Sequence, residues 1–84
     1  MIVRLLLFAG AREAAGCSRD EFDLQDGVRL DALLARAIER YGEGFASVLG
    51  TSRVWINGDE PAEDLATVLA PDDEVAVLPP VSGG

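Results

Sequence analysis

Eighty-four residues carry fifteen acids against seven arginines, with no lysine and no histidine, for a net charge of −8. This length gives one domain with one core, and the charge argues against a nucleic-acid partner while favouring encounter with a basic protein surface. One cysteine and no histidine leave no zinc or copper set, and no loop has the Asp-x-Asp-x-Asp-Gly spacing of a calcium site.

No apolar run approaches membrane-spanning length, and no signal-peptide pattern opens the chain, since Arg4 precedes only a short hydrophobic stretch before Gly10 and Arg12. Together with Cys17, which has no partner for an internal disulfide, this predicts a soluble cytoplasmic protein with no membrane contact. Residues 2–8, Ile-Val-Arg-Leu-Leu-Leu-Phe, predict a central strand covered on much of both faces, with Arg4 its one charge. Residues 9–15 predict a short helix with Arg12 and Glu13 outward and Gly16 placed to end it. Cys17 follows in a turn beside Ser18. With no base or helix N-terminus beside it, it reads as an ordinary free thiol rather than a persulfide carrier.

Residues 21–25 alternate polar and apolar, with Phe22 and Leu24 on one face, which predicts a half-buried strand returning alongside the first. Asp26-Gly27 supplies a turn. Leu30, Leu33, Leu34, Ala37, Ile38 and Tyr41 then fall at intervals of three and four, the apolar stripe of a core-closing helix. Arg29 sits at the cap position where Ser, Thr or Asp is preferred, Asp31 suits the positive end of the helix dipole, and Gly42 suits its end. Residues 43–52 predict a loop, with Phe45, Val48 and Leu49 folded back over the core as a short turn. Residues 53–57 predict a strand with Trp55 packed on the sheet, and Asn57-Gly58 a β-hairpin turn. After Pro61, Leu65, Val68 and Leu69 predict a short helical turn facing the core, Pro71-Asp72-Asp73 a β-turn, and residues 74–78 the last strand.

The sequence ends Leu78-Pro79-Pro80-Val81-Ser82-Gly83-Gly84. Two prolines fix φ, remove two backbone donors and prevent a central strand from continuing, so residues 1–78 are expected to form the domain and residues 79–84 an extended tail. That tail reaches at most about 20 Å, and its last two residues carry no Cβ, a form suited to delivering an α-carboxylate into a narrow site. An ordinary frayed terminus is the bland alternative.

The segment from Asp72 to Gly84 resembles the C-terminus of the MoaD family, the small sulfur-carrier subunit of molybdopterin synthase. Leu6-Leu7-Phe8-Ala9 followed by Ala11-Arg12-Glu13 and Gly16 is similar to that family's opening strand and helix. Pattern alone leaves several small α+β folds open; the resemblance implies a ubiquitin-like β-grasp, with the first and last strands parallel at the centre. It further implies that Gly84 is adenylated with ATP by an E1-like enzyme, converted to a thiocarboxylate by a sulfurtransferase donor, and then gives its sulfur to cyclic pyranopterin monophosphate within the large subunit. The tail residues Pro79, Pro80, Val81, Ser82 and Gly83 would carry Gly84 into that site. No cofactor or metal is expected on the chain, and no active site of its own. By the same resemblance Phe8 and Leu78 present apolar surface to the large subunit, though each also fits a core position, and Arg12 makes a polar contact near the tail or is simply solvated. A sulfur carrier for thiamine or cysteine, and a ubiquitin-like modifier joined to the lysines of other proteins, are the alternatives.

Overall fold

The computed structural model describes residues 1–80; the sequence-based expectations for Val81, Ser82, Gly83 and Gly84 lie outside the described residues. Four strands, β1 (Ile2–Leu7), β2 (Arg19–Asp23), β3 (Arg53–Ile56) and β4 (Glu74–Leu78), form one sheet in the order β2-β1-β4-β3. The central pair, β1 and β4, is parallel, with Leu5 opposite Val75 and Leu7 opposite Val77. Both outer pairs are antiparallel. Parallel neighbours need a crossover connection, here nearly the whole intervening chain. This is the β-grasp arrangement the resemblance implied.

Helices α1 (Ala9–Ala15), α2 (Leu30–Tyr41) and α3 (Glu43–Leu49) accompany the sheet. Val3, Leu5 and Leu7 of β1 and Val75 and Val77 of β4 are buried with Phe22, Leu30, Leu33, Ala37 and Phe45. Fully burying such a side chain contributes about 1.5–3 kcal/mol, so this one cluster dominates the stability of a chain this small. Strand alternation turns the remaining β1 residues the other way: Ile2 and Arg4 are exposed and Leu6 is half-buried. The expected two-sided cover of β1 is therefore corrected to one-sided cover, because the main core packs on the opposite face.

The two glycine helix ends are as expected. Gly16, at φ 80°, donates its amide to the Arg12 carbonyl, and Gly42, at φ 99°, donates to that of Ile38. The weak cap at Arg29 is offset by tertiary structure, since the Leu30 amide donates to the Thr67 carbonyl at 2.8 Å and the Arg29 guanidinium instead holds Asp31 at 2.7 Å. Three local expectations fail. The return strand is Arg19–Asp23 rather than 21–25, although Leu24 is still buried beyond its end. Residues 43–49 form helix α3, not a loop, anchored by the fully buried Phe45. The short 3₁₀ turn Asp64–Ala66 leaves Leu65 and Val68 exposed while Leu69 is buried. There Val68 bridges Arg29 in extended backbone, whose alternation sends one neighbour in and the other out.

Asn57 and Gly58, at φ 52° and 84°, form the tight turn joining Ile56 to Asp59, but β3 takes β4 as its sheet partner. Pro71 and Asp72 form the other turn, closed by an Asp73 amide to Ala70 carbonyl bond, with Asp72 at φ 66°. None of the described residues belongs to a helix long and apolar enough to cross a membrane.

Candidate functional site

β4 ends at Leu78, and the chain leaves the sheet through Pro79 and Pro80. Because β1 and β4 run in the same direction and pair as far as Leu7 opposite Val77, the next residues, Phe8 and Leu78, emerge at the same end of the sheet. Phe8 keeps extended backbone at φ −120°, so the alternation of Arg4 and Leu6 carries on into it and puts its ring on the open face. It is 45% exposed, and Leu78 is half-buried. The core reading of Phe8 thus gives way to the surface one.

Across the open face the register places Arg19, Leu6, Ala76 and Trp55 in one row, with Arg53 and Leu78 paired in the next. Adjacent strands are about 4.8 Å apart, so these side chains form a continuous surface beside the point where the tail departs. A groove of about 360 Å³ there is lined by Thr51, Arg53, Trp55, Leu78, Pro79 and Pro80. Trp55 is 37% exposed on this face. The sequence reading took it for a packing residue; the signal it missed is strand alternation, which puts Trp55 on the side of charged Arg53 and away from Val54 and Ile56.

Arg12 lies exposed in the last turn of α1 and makes no ion pair among the described residues. Cys17 is half-buried, with Sγ 3.8 Å from the Tyr41 hydroxyl, which in turn donates to Asp20 Oδ2 at 2.6 Å. Asp20 also accepts from Arg40 at 3.0 Å. The Tyr41 hydrogen bond, helped by the Glu21 amide and Arg40, holds the Asp20 carboxyl below the usual range against the opposing effect of burial. Burial first, and then the Asp20 bond, push the Tyr41 phenol well above its ordinary value. That network ties β2 to α2. Among the described residues no three His, Cys, Asp or Glu side chains cluster as a metal would require.

A mixed sheet with parallel central strands, a main helix packed against it and a Pro-Pro exit from a central strand define a ubiquitin-like β-grasp domain. The chain belongs to the ThiS family, whose model matches residues 5–84. It is 36% identical over 84 residues to a molybdopterin synthase sulfur carrier subunit of Chlamydomonas reinhardtii, covering all of both chains. With the subunit of the same name from Aedes aegypti it shares 39% identity, over 98% of this chain and 88% of the other. Among solved structures, SAMP1 of Haloferax volcanii superposes with a TM-score of 0.87 at 27% identity, covering all of both chains. A protein-protein complex of subunits 1 and 2 of the molybdopterin-converting factor of Helicobacter pylori contains a chain matching at TM-score 0.68 and 31% identity, again over the full length of both.

Proposed function

We propose that the protein is the sulfur carrier of a molybdopterin synthase, with the Gly84 carboxylate as the group that carries sulfur. The observation that bears most weight is the end-to-end alignment with sulfur carrier subunits on a fold whose last strand ends in Pro-Pro beside an exposed apolar surface. A carboxylate resists nucleophiles because its charge repels them and oxide is a poor leaving group. An E1-like partner overcomes this by joining the carboxylate to the α-phosphate of ATP with loss of pyrophosphate. A sulfurtransferase persulfide then attacks the acyl carbon, AMP departs, and a second thiol reduces the resulting acyl disulfide by forming a disulfide with the sulfurtransferase cysteine, leaving a thiocarboxylate. Glycine suits both steps, since no side chain crowds the attacked carbon. The thiocarboxylate enters the large subunit and gives its sulfur to cyclic pyranopterin monophosphate, two deliveries building the dithiolene. Residues 79–84 act as the lead, Phe8, Arg12 and Leu78 as part of the docking surface, and the acid-base groups belong to the partner. No cofactor resides on the chain.

The test combines chemically thiocarboxylated protein with the large subunit from the same organism and follows conversion of the cyclic pyranopterin. Product is expected. No product, alongside efficient sulfur delivery to a thiazole synthase or a cysteine-forming enzyme, would move the assignment to another sulfur-carrier pathway. A modifier role is a second reading, favoured by the close superposition on SAMP1, which other structures call small archaeal modifier protein 1. With no lysine the chain cannot extend conjugates on itself, so that reading expects single adducts on other proteins, visible by mass spectrometry as lysines carrying the fragment Val54 to Gly84 that trypsin leaves after Arg53.

A further inference from the structure

Among the described residues the sheet ends in two edge strands, β2 and β3, and the outward backbone of each is occupied. On β3 the Asn57 amide donates to the Glu74 carbonyl at 2.8 Å, so by alternation Trp55 and Arg53 also bond toward β4 and the backbone groups of Val54 and Ile56 face outward. Those of Ile56 are both taken by Asp59, at 2.8 and 3.0 Å. On β2 the Leu24 amide donates to Met1 and the Leu7 amide to Ser18, which turns the backbone groups of Arg19, Glu21 and Asp23 away from β1. Glu21 stands at the middle. Its amide donates to Asp20 Oδ1 at 2.8 Å, and its carbonyl accepts from Arg40 at 3.0 Å. The same Arg40 nitrogen donates to Asp20 Oδ2, which also accepts from the Tyr41 hydroxyl, and the guanidinium lies 3.7 Å over the Phe22 ring. Backbone closes β3, whereas at β2 two charged side chains stand where an incoming strand would lie.

We infer that Asp20 and Arg40 cap the β2 edge, and that the partner they exclude is a second copy of this chain, added antiparallel so that one sheet would run through two molecules. An open strand edge is a template for pairing. A ladder needs successive outward residues, and with Glu21 occupied those left, Arg19 and Asp23, lie four residues or about 13 Å apart. The sequence of β2 suits a copy of itself: set antiparallel, Arg19 of each copy falls opposite Glu21 of the other, giving two cross-strand pairs of opposite charge. That same register sets Asp20 against Asp20 at the two-fold axis, on the other face of the strand. Asp20 therefore acts twice, as the acceptor that occupies the Glu21 amide and as a like charge facing itself. Removing the cap opens the edge without emptying the core, because neither Asp20 nor Arg40 belongs to the core cluster.

The experiment compares the wild-type protein with an Asp20→Ala/Arg40→Ala variant by sedimentation over a range of concentrations at physiological salt, with thermal unfolding as the check on fold. The wild type should sediment as a monomer throughout, and the variant should move to twice that mass as concentration rises. Adding Glu21→Pro to the variant removes the outward donor without touching the bonds to β1, and should return it to a monomer. Equal association of wild type and folded variant would overturn the inference, and so would a dimer that survives Glu21→Pro, since association then uses another surface. Amide exchange in the wild type gives a reading that needs no substitution and decides the matter where a variant fails to fold. The Glu21 amide should exchange about tenfold more slowly than those of Arg19 and Asp23, its outward neighbours. Equal rates for the three would show that no cap exists.

Discussion

Asp20 and Tyr41 are coupled through a short hydrogen bond of 2.6 Å, and Arg40 closes the group by bonding Asp20 and the Glu21 carbonyl while lying 3.7 Å over the Phe22 ring. Because the folded protein holds the Asp20 carboxyl below its unfolded value of about 3.9, the fold binds that proton less readily than the unfolded chain does. The stability this contributes is complete above the unfolded value and is lost as pH falls through the folded one. Asp20→Asn should therefore lower stability near neutral pH and flatten its acid-side decline, as read from urea unfolding at several pH values. Tyr41→Phe deletes one hydrogen bond to a partly exposed carboxylate and should cost about 1 kcal/mol. An unchanged acid slope in Asp20→Asn would remove the carboxylate from this account. Cys17 sits beside the same network without being needed by it. The proposed function puts the sulfur on the terminal carbonyl, so Cys17→Ser should fold and transfer sulfur normally, and loss of transfer in a folded variant would promote the thiol to carrier.

Helix α3 depends on a backbone feature more than on propensity. Gly42 ends α2 and caps α3 at φ 99°, a conformation that costs a residue with a Cβ. Gly42→Ala should destabilise by about 1–2 kcal/mol although nothing lies within 4 Å of the added methyl. Phe45→Ala, which empties a fully buried site, should cost about 3–5 kcal/mol. A thermal midpoint unmoved by either change would show α3 to be dispensable. The same element explains where the sequence was opaque. Phe45, Val48 and Leu49 were legible as core-facing, but seven residues containing Gly44 and Ser47 give too little periodicity to declare a helix. The stripe from Leu30 to Tyr41 spans over three turns and could be read, as could β1 and β4 from their aliphatic runs. Leu65 and Val68 misled because in a three-residue turn the spacing of apolar residues does not fix which way they point. At the site, Phe8 and Leu78 were placed by the family resemblance, with a core position equally open, whereas the pairing of Arg53 with Leu78 and of Trp55 with Ala76 depends on a long-range register no local pattern encodes.

At the scale of the whole molecule, folding and function use separate parts of the chain. Every residue of the core cluster lies between Val3 and Val77, so the sheet and its helices are complete before the Pro-Pro exit. In the proposed function the chemistry is exported to partners through Gly84. It follows that the last residue can be changed at almost no cost in stability and at full cost in function. Deleting Gly84, or adding one residue beyond it, should leave the thermal midpoint within error of wild type, because the core of the described residues is already built from Val3 to Val77. The same variants should form no thiocarboxylate when incubated with the activating enzyme, ATP and a sulfur source, since the acyl carbon is then displaced by a whole residue from the position the activating site is built for, and misplacement of about 1 Å already costs rate heavily. Mass spectrometry of the intact protein reads both the sulfur and any trimming. An extended, untrimmed variant that still supports formation of the dithiolene would show that the terminal carboxylate is not the carrier, whatever the likeness of the rest of the chain.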